Sequence, residues 1–351
     1  MSNNVAESPG RYGGSRPVVV VVGAGSKHGR VQQQEEEEFV ANPCPKAEQE
    51  SSSETANANT NTNTNVTADD DTSSRNKHSD RNRWGLGGAL ALTFAKLRYD
   101  VVLMGRQRDV LEDVKKLIEE ELQHQPELNL QHIDGATATP AASSDRVILC
   151  VECNVTDDDS VQNAFESCQQ TVSESFGGFV DLVVFNAAAP YPPNFRFAGW
   201  GDVVLPHQID IPNLNQQYDT QVNGLIRCSK HVLPGMMERK RGCILVSGES
   251  ICNMNGRYEF GSVAPGRAAL RSLSQVMFSA YGPMGIHVCH VNIGGIIDTP
   301  KTRSWNLGDD LVDPHAIAEE YKNIYRQHPT VWSYELQLTP SFAARKIDMR
   351  M

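Results

Sequence analysis

At 351 residues, 39% of them hydrophobic and 21% charged, the chain has the length of one or two domains. Its 32 Lys and Arg against 43 Asp and Glu leave a formal net charge of −11, without the basic stripe that a nucleic-acid backbone requires. The longest apolar run, 17–23, is too short to span a bilayer, residues 1–16 lack the apolar segment of a signal peptide, and eight scattered cysteines fit a reducing compartment. The expected location is the cytoplasm, with neither a membrane nor a nucleic acid as partner.

Residues 1–16 read as a disordered N-terminus and 341–351 as a tail, around a single domain over 17–340. The first element is the strand Val18–Val22, continuous, β-branched and bounded by Pro17 and Gly23. A low-complexity insert over 27–84 follows. Residues 27–83 contain no Leu, Ile, Met, Tyr or Trp, and carry Glu35 to Glu38, an Asn/Thr alternation and Asp69 to Asp71. Such a stretch buries too little apolar surface to offset its ordering entropy. Its readings are inert low complexity, intron sequence retained in the gene model, or a partner-binding segment.

Beyond it, helix and strand alternate. Helical spacing over 87–97 is followed by a strand at Val101–Met104 and an amphipathic helix through Val110, Val114 and Ile118. A polar stretch at 123–145 reads as a surface loop before a strand at 147–151 and a helix at 161–172, with Asp157 to Asp159 suited to its start. Then come a strand at 182–185, a long helix at 217–237, a strand at 243–246, a helix at 263–281, a strand at 287–293, a helix at 316–325 and a short strand at 332–338. Strict alternation predicts one doubly wound α/β domain, a parallel sheet of the Rossmann type with helices on both faces.

The first chemical signal is glycine. With 27–84 left out, Gly23, Ala24, Gly25 and Ser26 run into Gly85, Leu86 and Gly87, giving G-x-x-x-G-x-G between a strand and a helix. Glycines there permit a tight turn and bring backbone N–H groups to a pyrophosphate at a helix N-terminus. At the end of the second strand, where an acidic residue would bind the ribose 2′-hydroxyl of NAD, stand Arg106 and Arg108. Planar guanidinium donors suit a 2′-phosphate, so NADP(H) is favoured over NAD(H).

At this point the sequence resembles the short-chain dehydrogenase/reductase family, from Val18 to about Pro300. Asn154-Val155 stands where the family has Asp-Val against the adenine. Asn186, Ala187 and Ala188 look like its N-A-G segment, and Gly294 through Ile297 and Thr299 resemble its P-G-x-I-x-T segment, which holds the nicotinamide carboxamide. The tail from Asp313 to Leu336 looks like one subgroup of bacterial-type members. The resemblance implies NADP(H)-dependent oxidoreduction of a small carbonyl or alcohol, in a homodimer or homotetramer formed through the helices near 217–237 and 263–281.

At the catalytic positions the resemblance breaks. The family's Tyr-x-x-x-Lys, fixed by Ala268-Ala269-Leu270, becomes Val263-Ala264-Pro265-Gly266-Arg267. Valine cannot transfer a proton, and arginine stays protonated, able to hold a ribose but not to relay. The family's Ser falls on Ser250 and its Asn on Gln221. Tyr258 and Tyr191 are replacement candidates for the acid, and Glu249 is read as a loop carboxylate that would act if buried. The rival expectation is a catalytically impaired NADP(H)-binding sensor or oligomerisation partner. Cys150 and Cys153, and likewise His287 and His290, fall on opposite faces of strands and are not expected to hold a metal.

Overall fold

Five consecutive valines, Val18 to Val22, all buried, make the first strand β1 (Pro17–Val22) the centre of the molecule. The computed structural model describes residues 17–24, 84–124, 146–172, 179–191, 204–253, 260–303 and 311–341. In chain order these form β1, α1 (Leu86–Lys96), β2 (Asp100–Gly105), α2 (Arg108–Gln123), β3 (Ile148–Glu152), α3 (Asp158–Thr171), β4 (Phe179–Phe185), α4 (Ile211–Tyr218), α5 (Gly224–Arg239), β5 (Gly242–Glu249), α6 (Ala264–Tyr281), β6 (Ile286–Ile293), the short α7 (Pro300–Arg303), α8 (Pro314–Tyr325) and β7 (Glu335–Leu338). The seven strands form one parallel sheet in the order β3-β2-β1-β4-β5-β6-β7.

Alternation along each strand builds two cores. Val19 and Val21 pack with Leu90, Phe94, Leu111, Ile118 and Ile317, from α1, α2 and α8. Val18, Val20 and Val22 pack with Phe165, Leu225, Leu270 and Met277, from α3, α5 and α6. Each fully buried valine contributes about 1.5–3 kcal/mol before entropy is counted. Cys150 belongs to the first core and Cys153 to the second, and burial pushes both thiols up to about 11, so they are inert apolar groups on opposite sides of the sheet. No helix among the described residues is long and apolar enough to cross a membrane.

Most predicted elements stand within two or three residues of expectation, and α3 starts as expected, with the Asp157 carboxylate accepting from Ser160 N at 2.6 Å. Four differences bear on the site. The helix expected at 217–237 begins at Ile211 and runs to Arg239, and its residues Asp219–Asn223 widen into a π-turn between α4 and α5. Strand β5 continues past Val246 to Glu249 because β6 pairs with it residue by residue as far as Ile293. Glu249 is therefore fixed on a strand end, not carried on a loop. The last strand keeps only Glu335–Leu338, the residues that pair with β6. Trp84, assigned to the insert from sequence, is buried against Gly88 and meets His315 edge-on at 5.8 Å, so the packed domain resumes one residue earlier.

β1 pairs with β2 on one side and β4 on the other, so successive connections leave the sheet in opposite directions there. The crevice beyond the carboxyl ends of strands at such a point is where open α/β sheets receive ligands.

Candidate functional site

At the end of β1 the chain turns at Gly23, whose φ is +81°, a conformation that costs a side-chain-bearing residue. A Cβ there would also lie 2.7 Å from the Asn186 carbonyl oxygen. The N–H groups of Gly23 and Ala24 both donate to the Met104 carbonyl, at 2.8 and 3.0 Å, so their donors are used inside the fold. Across the turn, α1 begins with Gly85 as its extended N-cap. A Cβ on Gly87 would fall 2.7 Å from Ala24 Cα, so glycine is what lets the helix end approach the strand end so closely. The first-turn N–H groups of α1, including those of Leu86 and Gly87, have no carbonyl one turn earlier to bond, which makes the helix start an anion-facing end. Gly25 and Ser26 lie outside the described residues.

The other residues expected to hold the cofactor have the following surroundings. Arg106 is exposed immediately after β2. Asn186 donates from its side chain to the Gly23 carbonyl at 3.2 Å and from its backbone N–H to Val22 at 2.9 Å, tying β4 to the turn. The Asn154 side-chain oxygen accepts from Thr156 N–H and hydroxyl, and Val155 is buried against Gly224. Ala187 and Ala188 line a cleft of about 20 Å³, together with Gln221, Ser247, Gly248, Glu249, Arg267 and Leu270. The Ile297 carbonyl accepts from the Thr302 hydroxyl at 2.6 Å, and the Thr299 hydroxyl accepts from Thr302 N–H at 3.1 Å, capping α7.

The residues expected at the catalytic positions have these surroundings. Val263 is fully buried, packed with Ile251 and Phe260 and flanked by Tyr191 and Ala264. One turn on, the Arg267 guanidinium is buried as well. Its Nη1 donates to Gln217 Oε1, and its Nη2 donates to Glu249 at 2.9 Å. The second Glu249 oxygen accepts from the Tyr191 hydroxyl at 2.9 Å, and the Tyr191 ring lies 5.8 Å from the guanidinium carbon. Gln217 is held in turn, donating to the Pro190 carbonyl at 2.5 Å. Gln221, on the π-turn, donates to Gln217 at 3.4 Å, while its buried Oε1 has no hydrogen-bond partner among the described residues. Ser250 is half-buried at the start of a 3₁₀ turn, and Tyr258 lies outside the described residues.

Burial, then the neighbouring Glu249 charge, raises the pKa of Tyr191, so its hydroxyl keeps its proton at any working pH. That is the opposite of an activated catalytic tyrosine, whose neighbouring cation should lower its pKa. Beneath the site, His290 is fully buried, neither ring nitrogen is hydrogen-bonded among the described residues, and burial depresses its pKa to about 4. It fits because residue 248 is glycine: a Cβ there would stand 2.1 Å from His290 Nε2.

The structure thus brings together Arg267, Glu249, Tyr191, Gln217 and Gln221, and sets Ser250 beside them on the 3₁₀ turn. Sequence reasoning missed Gln217, because the signal for it is three-dimensional: it lies on a helix fifty residues before the arginine it holds.

A family model described as short chain dehydrogenase matches residues 133–310. A curated relative from Xanthobacter autotrophicus, named inactive 2-(S)-hydroxypropyl-CoM dehydrogenase 2, is 29% identical over 186 residues, covering 53% of this chain and 73% of the relative. Among solved structures, one assigned as a short-chain dehydrogenase/reductase from Burkholderia xenovorans superposes with a TM-score of 0.60 at 17% identity, covering 94% of this chain and 97% of that one. An alcohol dehydrogenase from the archaeon Thermococcus sibiricus, complexed with 5-hydroxy-NADP, gives a TM-score of 0.54 at 20% identity over 74% of this chain and 93% of that one.

Proposed function

Because the chain belongs to the short chain dehydrogenase family, a family of oxidoreductases, we propose that it binds NADP(H) at the β1–α1 turn while hydride transfer to ordinary carbonyl and alcohol substrates is suppressed. The observation that carries this reading is the surroundings of two residues at the start of α6, its N-cap Val263 and Arg267. The valine that the resemblance sets in the acid's place is fully buried, and the arginine one turn later spends its donors on Gln217 and Glu249. A bound nicotinamide supplies or accepts a hydride, and this chain would hold it next to a pocket that has no activated proton donor among the described residues. General acid–base catalysis typically contributes about 10²–10⁴-fold, so turnover should fall by that order. That the relative from Xanthobacter is named inactive agrees with the same reading.

The residues around the turn fit a dinucleotide. Gly23 and Gly87 permit the close approach of helix and strand, the α1 N-terminus offers donors to the pyrophosphate, and Ala187 and Ala188 leave room beyond β4. Asn154 and Val155 would flank the adenine, and Ile297 and Thr299 the carboxamide. Arg106, exposed at the end of β2, would pair with a 2′-phosphate, and cytoplasmic homodimers or homotetramers are the assembly we propose. The test is a titration with NADPH and NADH alongside a turnover assay on a panel of small ketones and aldehydes. NADPH should bind, tighter than NADH, with turnover near background, and Arg106→Asp should reverse the preference. Joining Val263→Tyr to Arg267→Lys should raise turnover. Robust wild-type turnover that survives Tyr191→Phe and Tyr258→Phe would sink the reading.

A further inference from the structure

Two donors of different kinds, the Tyr191 hydroxyl and the Arg267 guanidinium, converge on the two oxygens of one carboxylate, each at 2.9 Å. The two halves of this arrangement are not equally fixed. The Arg267 side chain is 3% exposed and braced by Gln217, whereas the Glu249 side chain is 31% exposed at a strand end. The guanidinium cannot shed its charge, so it requires an anion. The glutamate can turn out to water. Beside the carboxylate lies the cleft of about 20 Å³, room for one water-sized group, and lining it is Gln221, whose buried Oε1 accepts from nothing among the described residues.

We propose that Arg267 and Tyr191 form a binding site for a small 2-hydroxy acid, filled from within the chain by the Glu249 carboxylate. The ligand's carboxylate would take the place of the Glu249 oxygens, and its hydroxyl would enter the cleft and donate to Gln221 Oε1. The unpaired acceptor selects a hydroxyl over a bare carboxylate. The cleft has room for the hydroxyl alone, so the ligand's carbons would lie in the space that the Glu249 side chain leaves. Glu249 is the built-in competitor, so the wild-type site opens only against its own side chain. This goes beyond nucleotide binding and does not rest on it.

The experiment uses the full chain without nucleotide and follows thermal melting in sodium acetate, sodium glycolate and sodium chloride at equal ionic strength. Glu249→Ala should lower the melting temperature. Acetate and glycolate should then raise it saturably, as ligands of the folded state do, where chloride does not. Glycolate should bind about fivefold tighter than acetate, the scale of one hydrogen bond. Gln221→Leu in the Glu249→Ala background should erase that preference. Wild type should require much higher concentrations of either anion. Arg267→Met in the Glu249→Ala background should abolish the response. A response that persists without Arg267, or a Glu249→Ala chain that answers chloride and acetate alike, overturns the site. Equal affinity for acetate and glycolate overturns the hydroxyl assignment. Should Glu249→Ala fail to fold in chloride, recovery of folding in acetate supports the proposal; if it fails in every salt, Glu249→Gln is read by the same criteria.

Discussion

Two buried arginine–carboxylate pairs sit at opposite ends of the same sheet, and they are built in reverse. At the amino end of β4, the Asp181 carboxylate is 2% exposed and accepts from Arg241, itself 36% exposed, at 3.0 and 3.2 Å. Tyr325 donates to the same carboxylate, and Tyr99 donates to Tyr325 at 3.1 Å, so α8 and the turn before β2 are tied to the strand from below. At the carboxyl end of β5 it is the arginine, Arg267, that is sealed in, and the carboxylate, Glu249, that reaches toward water. The difference is chemical as well as positional. A sealed aspartate can take a proton when its partner leaves, and burial already pushes Asp181 in that direction. A sealed arginine cannot lose one. The lower cluster can therefore stand as a fastening, whereas the upper one is obliged to hold an anion.

The largest expected effect tests that obligation. Glu249→Leu leaves a buried guanidinium without its counter-ion and should cost about 3–5 kcal/mol of unfolding free energy in urea melts. Adding Arg267→Met should recover most of the loss, because both charges are then gone. A cost under about 1 kcal/mol for the single change would break the comparison.

His290, below the upper pair, sharpens it through pH. Its ring faces Glu335 at 3.6 Å, and Glu335 is held by Arg271 on α6. Its folded pKa of about 4 lies below the unfolded 6.5, so the unfolded chain binds more protons between those values. Stability is full above about pH 6.5 and falls as pH drops toward 4, by up to roughly 3 kcal/mol. Glu335, whose pKa Arg271 lowers, adds in the same direction as pH falls further. Melting curves from pH 7 to 4.5 should show this slope, and His290→Met should flatten it.

The smallest effect belongs to the lower pair. Arg241→Met should cost about 1 kcal/mol at pH 5, since Tyr325 remains on the carboxylate and Asp181 can protonate. A group whose folded pKa is raised contributes stability that is lost as pH rises through that pKa. The penalty should therefore grow from pH 5 to pH 8. Equal penalties at both values would mean that Asp181 stays ionised without its arginine.

The contrast also marks what the sequence could say. The sheet was legible because its signals are local: five valines in a row, glycines flanking the turn, helical spacing in α1, α2 and α6. The placing of Val263 and Arg267 at the positions of the family's Tyr and Lys rests on the resemblance, through Ala268, Ala269 and Leu270. What could not be read is where Arg267 spends its charge. Gln217 and Glu249 approach it from other elements, and the extension of β5 that fixes Glu249 depends on pairing with β6. The π-turn at Asp219–Asn223 has no period of its own in the residues, yet it carries Gln221 to the cleft.

Trp84 has a practical consequence for anyone who shortens this chain. Its indole rests on Gly88, where a Cβ would lie 3.0 Å from the ring, and it meets the imidazole of His315 across the gap to α8. A shortened chain fused at Ser26 and Gly85 would lose that ring and leave a hollow of tryptophan size, which typically costs about 3–5 kcal/mol. Fusing Ser26 to Trp84 keeps it. The two shortened chains differ by one codon, and the indole also gives an optical readout: a buried, blue-shifted component beside the β1–α1 turn, added to the emission of the three other tryptophans in one chain and missing from the other.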